Sequence, residues 1–173
     1  MATQGINFQN LSLKDALDLA VLIEEEARDR YLELAEQLET HHTPEAAVFF
    51  RKMVRVEEIH RSQLDKRRHE LFGDMPMTVT RAMIFDIEAP EYDEARADMS
   101  VQAALQASMR SEKKAHDFFA RALPEVRDEA VKALFSELRD EELEHQRWVQ
   151  LELDRAPGEP NPAFDDSDEP VAL

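Results

Sequence analysis

Read at alternating steps of four and three, the chain yields four apolar rows, each interrupted by charge near its middle. The first is Leu13, Leu17, Ala20, Glu24, Ala27, Tyr31, Leu34, Leu38, and the second is Ala46, Phe50, Met53, Glu57, His60, Leu64. The third is Val101, Leu105, Ser108, Glu112, Ala115, Phe119, Ala122, and the fourth is Val131, Phe135, Leu138, Glu142, His145, Val149. Rows with this spacing mark the inward stripe of an amphipathic helix, so the pattern predicts an all-α four-helix bundle.

Local signals place the ends. Ser12 with Asp15 resembles a capping box, so the first helix is expected from about residue 12 to 40, stopping at His41, His42 and Thr43. Thr43 can cap the second helix and Pro44 suits its first position, where a missing N–H costs nothing; its end is expected near Gly73. Residues 73–99 hold Pro76 and Pro90 and no sustained period, although MTVTRAMIFD could form a turn of helix or a short extended piece. A connection this long can run the length of a bundle and deliver the third helix parallel to the second. The third helix is expected from Ser100 to Leu123, and the fourth from Pro124 to about Arg155. The bundle thus occupies residues 1–155, with the crossover at about 73–99. The acidic, proline-rich tail of residues 156–173 buries little and is expected to be disordered.

The chain also repeats. A shift of 88 lays Glu24, Ala27, Asp29 and Tyr31 on Glu112, Ala115, Asp117 and Phe119, and a shift of 85 lays Phe50, Glu57 and His60 on Phe135, Glu142 and His145. The two halves read as copies of one helical hairpin, the second with a turn three residues shorter.

Composition narrows the chemistry. A chain of 173 residues suits one compact domain, and the absence of cysteine removes disulfides, thiolate metal sites and iron–sulfur centres. A net charge of −17 argues against nucleic acid as partner, since phosphate backbones are held by surplus Lys and Arg. No stretch approaches the roughly 20 apolar residues of a membrane span, and the N-terminus lacks the form of a secretory signal, so the expected address is the cytoplasm.

The six charged seam residues then carry the chemistry. Glu57 with His60, and Glu142 with His145, are Glu-x-x-His pairs, and residues three apart project from one helix face. A lone Glu from each of two helices, plus Glu-x-x-His from each of the other two, is the ligand pattern of di-iron and di-manganese carboxylate bundles. A single Glu-x-x-His is a chance product of charged helices, but two in register on buried stripes are not, because these charges are rarely buried unpaired. Four carboxylates balance two divalent ions, and oxygen and imidazole ligands suit iron or manganese. Without metal the core would hold four carboxylates at low dielectric, so bound metal is expected to raise the melting temperature. Ala27 and Ala115, one turn beyond the lone glutamates, leave room for oxygen, peroxide or solvent. His41, His42, His69 and His116 lie off these seams as solvent-facing or capping groups. Met53 reads as core filler, and Met75, Met77 and Met83 as loop anchors.

These motifs resemble the ferritin-like di-iron domain of the rubrerythrin and erythrin group, over about residues 12 to 155. EEEARDRYLELA is similar to that group's first-helix motif, in which a ligand glutamate precedes a tyrosine by seven residues, here Glu24 and Tyr31. VEEIH and EELEH resemble its Glu-x-x-His segments, and RRHELFGDMP is similar to the end of helix two in erythrin-type proteins. The resemblance implies two bound Fe ions, with Mn or a mixed Fe/Mn pair as alternatives. It makes Glu24 and Glu112 terminal ligands, Glu57 and Glu142 bridges, and His60 and His145 nitrogen ligands. Tyr31 would stand behind the ligands, its hydroxyl orienting a carboxylate or supplying an electron, with Phe119 as its unequal counterpart. Glu141 could hold an imidazole N–H, although Val56 takes the matching place. The implied activity is oxidation of Fe(II) with O2, reduction of H2O2, or both, in a homodimer; a non-catalytic iron carrier or sensor is the alternative class. Rubrerythrins also carry a further carboxylate on the third helix where this chain has Ala115, which puts their iron-shift mechanism in doubt here. They carry a rubredoxin domain as well, which a cysteine-free chain does not contain, so sustained turnover would need a separate electron donor.

Overall fold

The computed structural model describes residues 6–40, 44–84, 87 and 100–156, without the side chains of residues 45 and 46. The regular elements among these residues are all helical, with no strand: a 3-10 turn at Phe8–Asn10, then α1 (Leu13–Thr40), α2 (Pro44–Phe72), the single turn α3 (Arg81–Ile84), α4 (Val101–Ala122) and α5 (Glu129–Arg155). The expected cap at Thr43, the histidines at 41 and 42, Pro90 and the acidic tail from residue 157 lie outside the described residues, as does the side chain of Ala46.

The helix ends follow from local hydrogen bonding. Ser12 Oγ accepts from the Asp15 N–H at 3.1 Å and donates to the Asp15 carboxylate at 2.8 Å, closing the box expected from sequence. Gly73 ends α2 at φ 56, a left-handed conformation that costs glycine little, and its N–H reaches the His69 carbonyl at 2.8 Å. Ser100 caps α4 by accepting from the Ala103 N–H at 3.1 Å.

The start of α5 departs from expectation. Pro124 lies in a turn, and the helix begins at Glu129, where the Asp128 carboxylate accepts from the N–H groups of Ala130 at 2.8 Å and Val131 at 3.1 Å. That cap satisfies two free donors, and the preceding turn drives Val126 into the core, so the helix gains more by starting late. The three-residue offset between the halves has a matching cause. The second connection is not shorter: α4 stops at Ala122 and α5 starts at Glu129, whereas α1 continues to Thr40 and α2 starts at Pro44. The first helix of the first hairpin is simply longer.

Helix α1 packs along α2, and α4 along α5, as two hairpins. Two apolar clusters fill the bundle. One joins Leu17, Leu19 and Ile23 to Leu64, Phe119 and Phe135; the other joins Leu34 and Leu38 to Phe50, Met53, Leu105 and Val149. Each cluster takes opposite ends of α1 and α2 and opposite ends of α4 and α5, so α2 and α4 run parallel and the end of α2 and the start of α4 lie at opposite ends of the bundle. Val79, Ile84 and Ile87 from that crossover pack on the first cluster, and Met83 joins them, whereas Met75 and Met77 point outward rather than anchoring the loop. Among the described residues, no helix is long and apolar enough to cross a membrane.

The first cluster also buries a polar clasp. Asp18 is fully buried in the apolar run of α1 and takes Arg68 Nε and Lys14 Nζ, each at 2.7 Å. Arg68 further donates to the carbonyls of Gly73, at 2.8 Å, and Met75. One guanidinium thereby neutralises a buried carboxylate and fixes the chain as it leaves α2.

Candidate metal centre

Between the two apolar clusters lies a polar layer, and the six seam residues meet there. Each sits near the middle of its helix, so each side chain enters the same slab of the bundle. Glu57, Glu112, Glu142 and His145 are essentially buried, as is Glu24, while His60 keeps 19% of its side-chain surface exposed. The two imidazoles stack with ring centroids 5.2 Å apart and planes 6° from parallel.

The His145 side is the denser. His145 Nδ1 has Glu112 Oε2 at 3.1 Å, Glu57 Oε1 at 3.6 Å and Glu142 Oε2 at 3.8 Å. Glu112 also accepts from the Tyr31 hydroxyl, which lies 3.2 Å from Ser108 Oγ. Tyr31 therefore supports the lone glutamate of the opposite hairpin rather than its own helix neighbour Glu24. The Trp148 ring packs at 5.3 Å from the His145 ring, with Lys52 Nζ 5.6 Å from the indole centroid, covering this side from outside.

The His60 side is looser. Glu24 Oε2 stands 3.9 Å from His60 Nδ1, too far for a hydrogen bond. One oxygen of Glu141 joins them, and the three ligand atoms lie within 4.8 Å of one another. Two other triplets meet the same limit: Glu57 with both histidines, and Glu112 with Glu142 and His145. A cavity of about 70 Å³ opens beside His60 and Glu141, with Glu137 and Arg67 at its rim, 3.3 Å apart. Ala27 and Ala115 are fully buried and do not line it.

The donor set fits metal on three observations. Three carboxylates converge on a single nitrogen, a place where a cation belongs. Glu24 Oε2, His60 Nδ1 and His145 Nε2 are buried without hydrogen-bond partners, which is costly for polar atoms at low dielectric. The protonation states are also displaced. Burial, against the pull of a Glu57 hydrogen bond and the His145 charge, pushes the Glu24 carboxyl up to about 7. Burial and the neighbouring His145 push His60 down to about 4. For His145, burial opposes the charged form, but the Glu112 hydrogen bond and the surrounding carboxylates carry it above the usual histidine value. Burial, then the nearby Glu137 charge, raises Glu141. In the absence of metal, protons take over part of the charge balance.

The six residues expected from the sequence thus come together in one layer of the fold. Glu141 received only a supporting role, although an acid directly preceding a Glu-x-x-His was a visible signal. The Asp18–Arg68 pair went unseen, although an aspartate inside the run ALDLAVLI marks a buried charge in need of a partner. His69 and His116 lie outside the centre, beside Asp74 and Asp117.

The rubrerythrin family model matches residues 15–153. No curated protein sequence matches the chain. A crystal structure of an uncharacterized conserved protein from Magnetospirillum magnetotacticum MS-1 superposes with a TM-score of 0.71 at 24% identity, over 87% of this chain and 99% of that one. A hypothetical protein from Pyrococcus furiosus gives a TM-score of 0.55 at 22% identity, over 84% and 90%. At these identities the two structures speak for the helical fold alone.

Proposed function

The chain belongs to the rubrerythrin family, and on that premise we propose that it is a di-iron carboxylate oxidoreductase that transfers electrons from Fe(II) to O2 or H2O2. The observation that carries this reading is the convergence of Glu57, Glu112 and Glu142 on His145 Nδ1, with Glu24 and His60 completing the layer. A bound pair of ferrous ions would supply two electrons, one from each ion, enough with two protons to take O2 to H2O2 or H2O2 to two waters.

The protein's part is to bind, orient and exclude water. Glu112 and Glu142 would hold the enclosed position with His145, Glu24 and His60 would hold the other, and Glu57, within 4.8 Å of a nitrogen of each histidine, would serve both. Tyr31 fixes the Glu112 carboxylate and keeps a proton at Oη beside it. The Glu24 carboxyl gives up its proton as metal binds, so uptake near neutral pH releases acid. The 173 residues include no cysteine to hold a thiolate iron centre, and a separate donor is the source of electrons this reading favours for restoring Fe(II). A homodimer is the assembly the family resemblance favours.

Anaerobic loading of metal-free protein with Fe(II), followed by separate exposure to O2 and H2O2, tests the reading. Bound Fe(II) should be oxidised by at least one of them about tenfold or more faster than the same Fe(II) free in buffer, and Glu57→Ala should abolish the gain. Faster reaction with peroxide assigns a peroxidase, and with oxygen a ferroxidase. Binding without acceleration by either would replace the enzyme with a carrier.

A further inference from the structure

The two hairpins match at the six ligands but not at all their neighbours, and one difference adds a donor: Glu141 in α5 corresponds to Val56 in α2. Val56 immediately precedes Glu57 as Glu141 immediately precedes Glu142, so each stands one residue before the glutamate of a Glu-x-x-His pair. Only the second hairpin adds a carboxylate there. We propose that Glu141 is a seventh metal ligand, completing with Glu24 and His60 a solvent-facing metal position that is distinct in affinity from the enclosed one at His145. The proposal rests on the di-iron reading above.

Several observations point to a ligand rather than a surface acid. An oxygen of Glu141 comes within 4.8 Å of the donor atoms of Glu24 and His60, from a side chain only partly exposed. Two of the three donors are buried and unpartnered: Glu24 Oε2, on a residue only 3% exposed, and His60 Nδ1. Neither Lys nor Arg pairs with Glu141 within 4.0 Å among the described ion pairs, although Arg67 is close enough to line the same cavity and instead takes Glu137 at the rim. The carboxylate that remains faces Glu24 and His60. Without it this side has two donors of its own and a share of Glu57. With it the donor set equals that of Glu112, Glu142 and His145.

The cavity of about 70 Å³ over Glu141 and His60 gives this position a path to solvent. The His145 side has Trp148 over its imidazole. The same ligand types therefore surround an enclosed position and an exposed one, and the exposed one should bind more weakly and exchange faster.

Calorimetric titration of metal-free protein with Mn(II), with Glu141→Gln and Glu141→Val beside it, tests the assignment. The wild type should show two classes of site. Both variants should weaken the weaker class about 10–100-fold while leaving the tighter class within about twofold. Thermal melts of the metal-free variants should match or exceed the wild type, because a partly buried carboxylate has been removed from beside Glu24, and this shows that lost binding is not lost folding. Two wild-type sites left unchanged by both variants would overturn the Glu141 assignment while leaving the di-iron reading in place, and loss of the tighter class instead would also overturn it. A wild type that binds no Mn(II) or Fe(II) would overturn both.

Discussion

His145 and His60 hold equivalent places in the two hairpins, yet their surroundings differ in almost every respect. His145 is enclosed, has three carboxylates within 3.8 Å of one nitrogen, and rests against Trp148. His60 is partly open, has Glu24 at 3.9 Å, and adjoins a cavity. Substitutions at matched positions account for the difference. Tyr31 supplies the hydroxyl that fixes Glu112, whereas its counterpart Phe119 has none to offer Glu24, and Glu141 supplies an acid where Val56 supplies a methyl surface. A repeated hairpin can thus keep its ligands and still diverge in access and rigidity, because those properties are set by neighbours that the ligand spacing does not constrain.

The comparison can be broken most severely at Glu57, the carboxylate that comes within 4.8 Å of a nitrogen of each imidazole. Glu57→Ala should cost both metal positions, reducing iron bound by metal-free protein from about two per chain to near none, as read by a colorimetric iron assay after desalting. Loss of one position only would show that the halves do not share Glu57.

Next in size is the clasp that only the first hairpin carries: Asp18 and Arg68 correspond to Gln106 and Leu153 in the second. Arg68→Ala leaves Asp18 buried, with Lys14 as its one remaining cation in the described ion pairs, and should destabilise the fold by about 3–5 kcal/mol in urea melts. Metal stoichiometry at low urea should be unchanged, since the clasp lies in the apolar cluster and not in the centre.

Tyr31→Phe makes the two hairpins alike at that position. It leaves the buried Glu112 carboxylate short of a donor and should cost about 1–3 kcal/mol in the metal-free protein, measured by thermal melt. It should also weaken the tighter metal about tenfold. An effect on the weaker position alone would contradict the placement of Tyr31 across the hairpins.

The smallest expected effect is a pH dependence. A carboxyl whose folded value is raised stabilises the fold less as pH rises, because the folded state must give up a proton that the unfolded chain has already lost. For Glu24 this loss runs from about 4.5 to about 7, and the raised His145 adds to it above 6.5. Between about 4 and 6.5 the lowered His60 opposes it, since there the unfolded chain binds the extra proton. The clear window is therefore above pH 6.5, where Glu24 alone should cost the metal-free protein about 1 kcal/mol by pH 8, or about 2–4 °C in melting temperature. Glu24→Gln should flatten the slope, and bound metal, which displaces the proton, should reverse it.

Much of this was legible in the chain because it depends on spacing within one helix. The apolar rows gave four helices, Ser12, Pro44, Gly73 and Ser100 marked their ends, and charge on those rows singled out the six residues that now meet in one layer. The remainder depends on packing between helices. Tyr31 lies two turns from Glu24 in sequence, but its hydroxyl reaches Glu112 because α1 and α4 face each other across the core. Glu141 reads as a support for an imidazole until its approach to Glu24 and His60, beside the partly open cavity, is seen. Pro124 is a sound first-turn residue, but Asp128 caps two N–H groups that proline could not.

The central claim is that two unequal half-sites share one carboxylate, and anomalous diffraction from crystals soaked in Mn(II) tests it most directly. The account predicts two peaks flanking Glu57: a strong one among Glu112, Glu142 and His145, and a weaker one beside Glu24, His60 and Glu141 that grows with Mn(II) concentration. Two peaks of equal occupancy at limiting Mn(II), or metal bound away from these residues, would contradict it.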